Sequence, residues 1–263
     1  MFFLEPSRRT RRWLAAAATG AALLAMTPAT QAAEFNPAQK AEIGALVKDY
    51  LVQNPEVLRD AMVELDKRDK AQEAAKRETI MRDQSDALLN SPYGEVVGNP
   101  NGKVTLVEFF DYNCGYCKRA LDDMAKLMKT TPDMRVVLRD FPVLGPGSVE
   151  AAQVAGAVRT QLNGDKFWAF HYKLLSTHGP VAKAQALAAA KDSGVDMDQL
   201  TKDLAKPEIK AGIQQSLQLA DALSLTGTPS FVVGSDVVVG AVGYDELKEH
   251  VDNVAKCGKS TCS

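Results

Sequence analysis

The chain has 263 residues, 46% of them hydrophobic, with a formal net charge of −2. There is enough apolar material for a real core, and the mild charge removes any general electrostatic argument for nucleic acid or an anionic membrane as partner. Four cysteines are too few to build a disulfide scaffold, so the fold must stand on packing.

Residues 1–32 have the three-part layout of a secretory signal. Arg8, Arg9, Arg11 and Arg12 precede an apolar run from Trp13 to Met26, Pro28 breaks any helix, and small residues lead to a cleavage point after Ala32. The run has 14 residues, whereas a membrane span needs about 20. Export to a bacterial periplasm is expected, where dithiols can be oxidised. Losing four arginines and Glu5 moves the net charge from −2 to −5, which still gives no case for nucleic acid.

Two helix starts follow. Asn36-Pro37 and Asn54-Pro55-Glu56 each place a capping Asn before a Pro that suits the first helical turn. Ile43, Leu46, Val47, Tyr50 and Leu51 recur on one face, and Val57, Leu58, Ala61, Met62 and Leu65 continue a stripe. These faces are too small to form a core alone, so they bury on the main domain or on copies of themselves. The next stretch, residues 66–83, carries 11 charges in 18 positions and favours the second use, because it spaces the helices from the body. Residues 33–65 are therefore expected to be a helical oligomerisation segment, and residues 66–90 a charged helical stalk.

The main domain is expected over residues 91–263. Tyr93–Val97 and Val104–Phe110 read as strands split by the turn signal Asn99-Pro100-Asn101-Gly102. A helix is expected from Gly115 to Lys129, a strand from Met134 to Arg139, and a mostly helical insert over residues 148–223. Ser230–Val233 and Asp236–Val239 read as strands and Tyr244–Ala255 as a closing helix. This order describes an α/β domain with a helical insertion.

Between the second strand and the first helix of that domain stands Cys114-Gly115-Tyr116-Cys117. Such a pair can hold a metal, staple a turn or exchange a disulfide. A metal site usually takes four ligands, and neither Cys257 and Cys262 nor His171, His178 and His250 supply a second ligand pair at zinc-site spacing. Soft thiolates can still hold Cu(I) with fewer ligands. His171 lies in an aromatic helix face and reads as a core or rim histidine. Cys114 at a helix N-terminus meets unpaired N–H groups and the helix dipole, which favour a thiolate. Cys117, one turn deeper, is placed to resolve a mixed disulfide. Glu108 is the one charged residue in its apolar strand and could accept or deliver the Cys117 proton. Downstream, Thr228-Pro229 sits between a glycine turn and a strand, a setting for a cis peptide bond. Cys257 and Cys262 are close enough in sequence for a local disulfide staple.

Together the strand followed by CGYC, Glu108 ahead of the first cysteine, the helical insert and Thr228-Pro229 before the last hairpin resemble the DsbA-like branch of the thioredoxin superfamily over residues 91–256. The resemblance implies a thioredoxin fold with a helical insertion and no cofactor. It implies that Cys114 is the nucleophile and Cys117 the resolving cysteine. The cis-proline loop at Thr228-Pro229 would face the CGYC turn, with Gly115 and Tyr116, and bind substrate backbone. CGYC and the threonine before proline resemble DsbC-type isomerases. Strong oxidants of the family carry a histidine between the cysteines; Tyr116 cannot supply that charge, so a less oxidising pair is expected. The N-terminal helices and stalk resemble the suppressor-of-copper-sensitivity (ScsC) proteins, in which such an extension can drive oligomerisation. The expected function is a periplasmic disulfide isomerase or reductase acting on exported proteins with cysteines. It would be a homo-oligomer, trimer or dimer, recharged by a membrane electron-transfer reductase. A DsbA-like thiol oxidase and a copper-binding periplasmic protein are the alternatives.

Overall fold

The computed structural model describes residues 35–259, 261 and 262, so the expected signal segment lies outside the described residues. Among those residues no helix is long and apolar enough to cross a membrane. The chain divides into two compact units between Asp60 and Ala61.

In the first unit, helix α1 (Pro37–Gln53) starts where the sequence signal places it. Asn36 Oδ1 accepts the Gln39 N–H at 2.9 Å, and Gln39 Oε1 accepts the Asn36 N–H at 3.0 Å. This reciprocal cap satisfies two orphan donors of the first turn. No residue of α1 is buried, and Ile43, Leu46, Val47 and Tyr50 are exposed.

Helix α2 (Pro55–Asp83) begins at the second Asn-Pro signal and runs unbroken through the charged stretch. Pairs such as Arg68–Glu64 and Lys70–Asp66 lie one turn apart on its surface; exposed pairs of this kind add only a few tenths of a kcal/mol each. Within the second unit the end of α2 is not solvated. Met81, with Leu88 from the short helix α3 (Ser85–Leu89), packs against Val107, Phe109, Val137 and Val232. The stretch expected as stalk thus ends in residues that belong to the core, because Met81 near the end of the charged run and Leu88 just beyond it find a sheet face to cover.

The sheet has five strands in the order β1-β3-β2-β4-β5: β1 (Glu95–Gly98), β2 (Val104–Phe110), β3 (Met134–Asp140), β4 (Ser230–Val233) and β5 (Asp236–Val239). Only β2 and β3 run parallel, joined by the crossover helix α4 (Gly115–Thr130). Strand β2 is central, and its side chains alternate between two cores. Val104, Leu106 and Phe110 join the larger cluster with α4 and the insert, while Val107 and Phe109 join Met81 and Leu88. Glu108 shares the first face by the same period of two.

The insert comprises α5 (Pro146–Val158), α6 (Gly164–Leu175), α7 (Lys183–Asp192), α8 (Met197–Asp203) and α9 (Pro207–Ala222). Helix α10 (Tyr244–Cys257) closes the domain, capped by Gly258 in the left-handed region, and a disulfide joins Cys257 to Cys262.

The turn before β2 leaves no room for a side chain. A Cβ on Gly102 would lie 2.6 Å from both the Arg135 nitrogen and the Asp133 oxygen. Gly102→Ala should therefore cost about 1–3 kcal/mol, as overpacking against fixed backbone does. Thermal unfolding should read this as roughly 2–4 °C of Tm per kcal/mol; an unchanged Tm would show that the turn relaxes freely.

Candidate active site

Strand β2 ends at Phe110, and residues 111–113 turn the chain into α4, whose N-cap is Cys114. The unpaired N–H groups of a first helical turn face that position. Cys114 and Cys117 are both free thiols; Cys117 is fully buried and Cys114 keeps 5% of its surface open. Opposite them, Thr228-Pro229 is a cis peptide, and the Cys114 thiol donates to the Thr228 carbonyl with a separation of 3.1 Å.

The two sulfurs are driven apart in acidity. The Cys117 thiol donates to Cys114, and the Thr228 side chain and the N–H groups of Cys117 and Tyr116 add to it, against burial, so the Cys114 pKa falls to about 5. The Thr228 carbonyl pulls the other way, since it can bond only the protonated thiol. Four donors outweigh one acceptor, and the thiolate is the favoured form at neutral pH. Burial pushes the Cys117 thiol well up, and sharing its proton with Cys114 and facing Glu108 push it further.

Glu108 is 2% exposed, and burial, then the Cys114 charge, raises its pKa to about 8. Its backbone register neighbours are Leu138 and Phe231, neither of which offers a charge. The structure thus brings Cys114, Gly115, Tyr116, Cys117, Glu108, Thr228 and Pro229 to one place. Cys257 and Cys262 are disulfide-bonded to each other at the end of α10.

His171 is fully buried on α6, edge-on to Phe110 at 4.7 Å, with Nδ1 3.3 Å from the Tyr112 hydroxyl. Burial lowers its pKa to about 3, so it stays neutral, as a core histidine does. The sequence reading passed over Asp111, Asn113 and Lys118. Lys118 Nζ donates to the Thr177 carbonyl at 2.6 Å, tying α4 to the loop after α6. Their one sequence signal is polarity beside the cysteine pair, which by itself resembles any solvated turn.

These acidities set a pH dependence. The lowered Cys114 pKa stabilises the reduced protein at alkaline pH, and that contribution is lost as pH falls through about 5. The raised Glu108 pKa acts in the opposite sense: its contribution is present below 4.5 and lost as pH rises through about 8. Alkylation of the reduced protein by iodoacetamide should titrate with an apparent pKa near 5, and Thr228→Val should raise it. A rate that still climbs through pH 8 would contradict this geometry.

A profile of the DSBA-like thioredoxin domain matches residues 105–252, and one of the copper resistance protein ScsC N-terminal domain matches residues 39–72. A thioredoxin-like oxidoreductase from Silicibacter pomeroyi is 44% identical, with 65% of this chain and 98% of that one covered and a TM-score of 0.62. Proteus mirabilis ScsC in a transitional conformation is 32% identical, with 84% and 98% covered and a TM-score of 0.62. The Na(+)/H(+) antiporter NhaA 1 of Salinispora arenicola is 31% identical over 158 residues, which are 59% of this chain and 24% of that protein. The chain thus spans about a quarter of the length of the first curated relatives it matches. With the sheet, insert and cysteine turn described above, these matches establish that the chain belongs to the DSBA-like thioredoxin domain family and carries an N-terminal segment of the ScsC type.

Proposed function

We propose that this protein is a periplasmic thiol–disulfide oxidoreductase that works as a disulfide isomerase or reductase on exported proteins. The observation that carries the reading is the pair of unlike sulfurs: a low-pKa Cys114 at the head of α4 and a buried, high-pKa Cys117 one turn below. The Cys114 thiolate attacks one sulfur of a substrate disulfide, and the other sulfur leaves as a thiolate that takes a proton. In isomerisation a second substrate thiolate attacks the mixed disulfide and expels Cys114, so no net electrons move. In reduction Cys117 gives up its proton, which ionised Glu108 can take once the mixed disulfide has removed the Cys114 charge that helps keep the carboxyl protonated, and its thiolate attacks Cys114 Sγ. The substrate then leaves with two electrons and the enzyme pair is oxidised. A membrane electron-transfer reductase would return those electrons.

Two features bear on isomerase against oxidase, and the first fits either. A Cys114 pKa of about 5 stabilises the dithiol, which makes the pair more oxidising. The N-terminal helices favour the isomerase, since Ile43, Leu46, Val47 and Tyr50 of α1 and Leu58, Met62 and Leu65 of α2 are exposed in the single chain. Burying each such side chain is worth about 1.5–3 kcal/mol, enough in sum for a homo-oligomer, trimer over dimer. An oligomer can turn its active sites toward a shared cleft and away from the machinery that recharges oxidases. The low pKa serves this reading too, because an isomerase needs a thiolate at neutral pH.

The reduced protein should restore activity to a scrambled multi-disulfide protein, and Cys114→Ser should abolish this. No recovery with the native protein would leave the oxidase as the better reading. Light scattering at micromolar concentration should find an oligomer, and removal of residues 33–65 should give a folded monomer that keeps dithiol chemistry and loses isomerase activity. A native monomer would defeat the assembly part of the proposal.

A further inference from the structure

The residues just before Cys114 send their side chains to separate parts of the fold. Asp111 is 1% exposed. Its Oδ1 accepts the Asn113 N–H at 2.8 Å, and its Oδ2 accepts the N–H groups of Val143 at 2.9 Å and Leu144 at 3.0 Å. Its carbonyl accepts the Cys114 N–H at 3.0 Å. One buried carboxylate therefore joins the cysteine turn to the loop between β3 and α5, through bonds that its charge strengthens.

Asn113 does the same for the insert. Its Oδ1 accepts the Val181 N–H at 2.7 Å, and its Nδ2 donates to the Val181 carbonyl at 2.8 Å and to Ser148 Oγ at 3.0 Å. Both amide hydrogens and the amide oxygen are committed. Val181 lies in the loop between α6 and α7, and Ser148 on α5. The loop that Asp111 holds presents Val143 and Leu144, 45% and 55% exposed, within one side chain's reach of the turn that carries Cys114.

We propose that Asp111 and Asn113 are positioning residues for polypeptide substrates: they hold the Val143–Leu144 segment and the insert at Val181 in fixed register with Cys114. An incoming chain then meets a preformed apolar rim and does not have to order that loop when it binds. This rests on the reading that Cys114 exchanges disulfides. A merely structural role would lower stability and slow every reaction of Cys114 alike. A positioning role falls on KM for a polypeptide and much less on a small disulfide that touches no rim.

The test uses the full-length protein, with dithiothreitol regenerating the dithiol, and two substrates: insulin and glutathione disulfide. D111N and N113A should each raise KM for insulin roughly fivefold or more, with a clearly smaller effect on kcat and on the rate with glutathione disulfide. N113D keeps the acceptor for the Val181 N–H and loses both donors, so it should fall between N113A and the native protein. V143S combined with L144S alters only exposed side chains and should reproduce the insulin KM increase even if D111N fails to fold. Equal losses on both substrates, or an unchanged insulin KM in the V143S/L144S protein, would overturn the proposal. A native protein inert toward both disulfides would defeat the exchange reading itself, and this inference with it.

Discussion

Two cysteines stand within one turn of helix, and the structure makes them chemically unlike. Cys114 N-caps α4, where donors converge on its sulfur, and Cys117 lies inside, where none of the solvent reaches it. The hydrogen bond between them acts in opposite senses on the two, lowering one pKa and raising the other. The rest of the domain serves that contrast. A strand buried on both faces fixes where the turn falls, a parallel neighbour demands a crossover helix just there, and the cis-proline loop closes the open side.

Glu108 shows the cost of the arrangement. An ionised carboxylate in an apolar strand without a counter-charge is expensive, so the group holds its proton instead. Asp140, on the same face of β3, is treated differently: it bonds Arg159 at 2.6 Å. Glu108 has no such cation beside it in the sheet register, and burial and the Cys114 charge keep its carboxyl protonated up to about pH 8.

The helical insert does more than cover the sheet. Helices α5 and α6 supply much of the larger core, and His171 packs among aromatic rings with its proton chemistry silenced. The same segments return to the cysteine turn through Val181, Ser148 and Thr177. An insert that only packed could slide slightly against the sheet. One that is hydrogen-bonded to the residue before Cys114 cannot move without disturbing it. The N-terminal unit follows different physics: no residue of α1 is buried within a single chain, and Ile43, Leu46, Val47 and Tyr50 stay exposed.

Much of this was legible in the residues. The bounds of β2, β4 and β5 and the start of α4 follow from local rules, since an apolar run, a glycine turn or a capping position each carry their own signal. The spacing of Cys114 and Cys117 and the lone charge at Glu108 stood out for the same reason. Strand β1 begins at Glu95, two residues later than the β-rich run suggests. Tyr93 is diverted to cover Gly212, where a Cβ would sit 3.1 Å from its side chain, a contact with no local trace. Met81 and Leu88 looked like the end of a solvated stalk because charge density is local and burial is not. Asp111 and Asn113 looked like polar turn residues because their partners lie 32 and 68 positions away. Sequence by itself determined the elements and the spacing of the cysteine pair, which depend on neighbours within a turn. Which backbone groups those side chains hold, and how acidic each sulfur becomes, depended on distances and burial that exist only once the chain has folded.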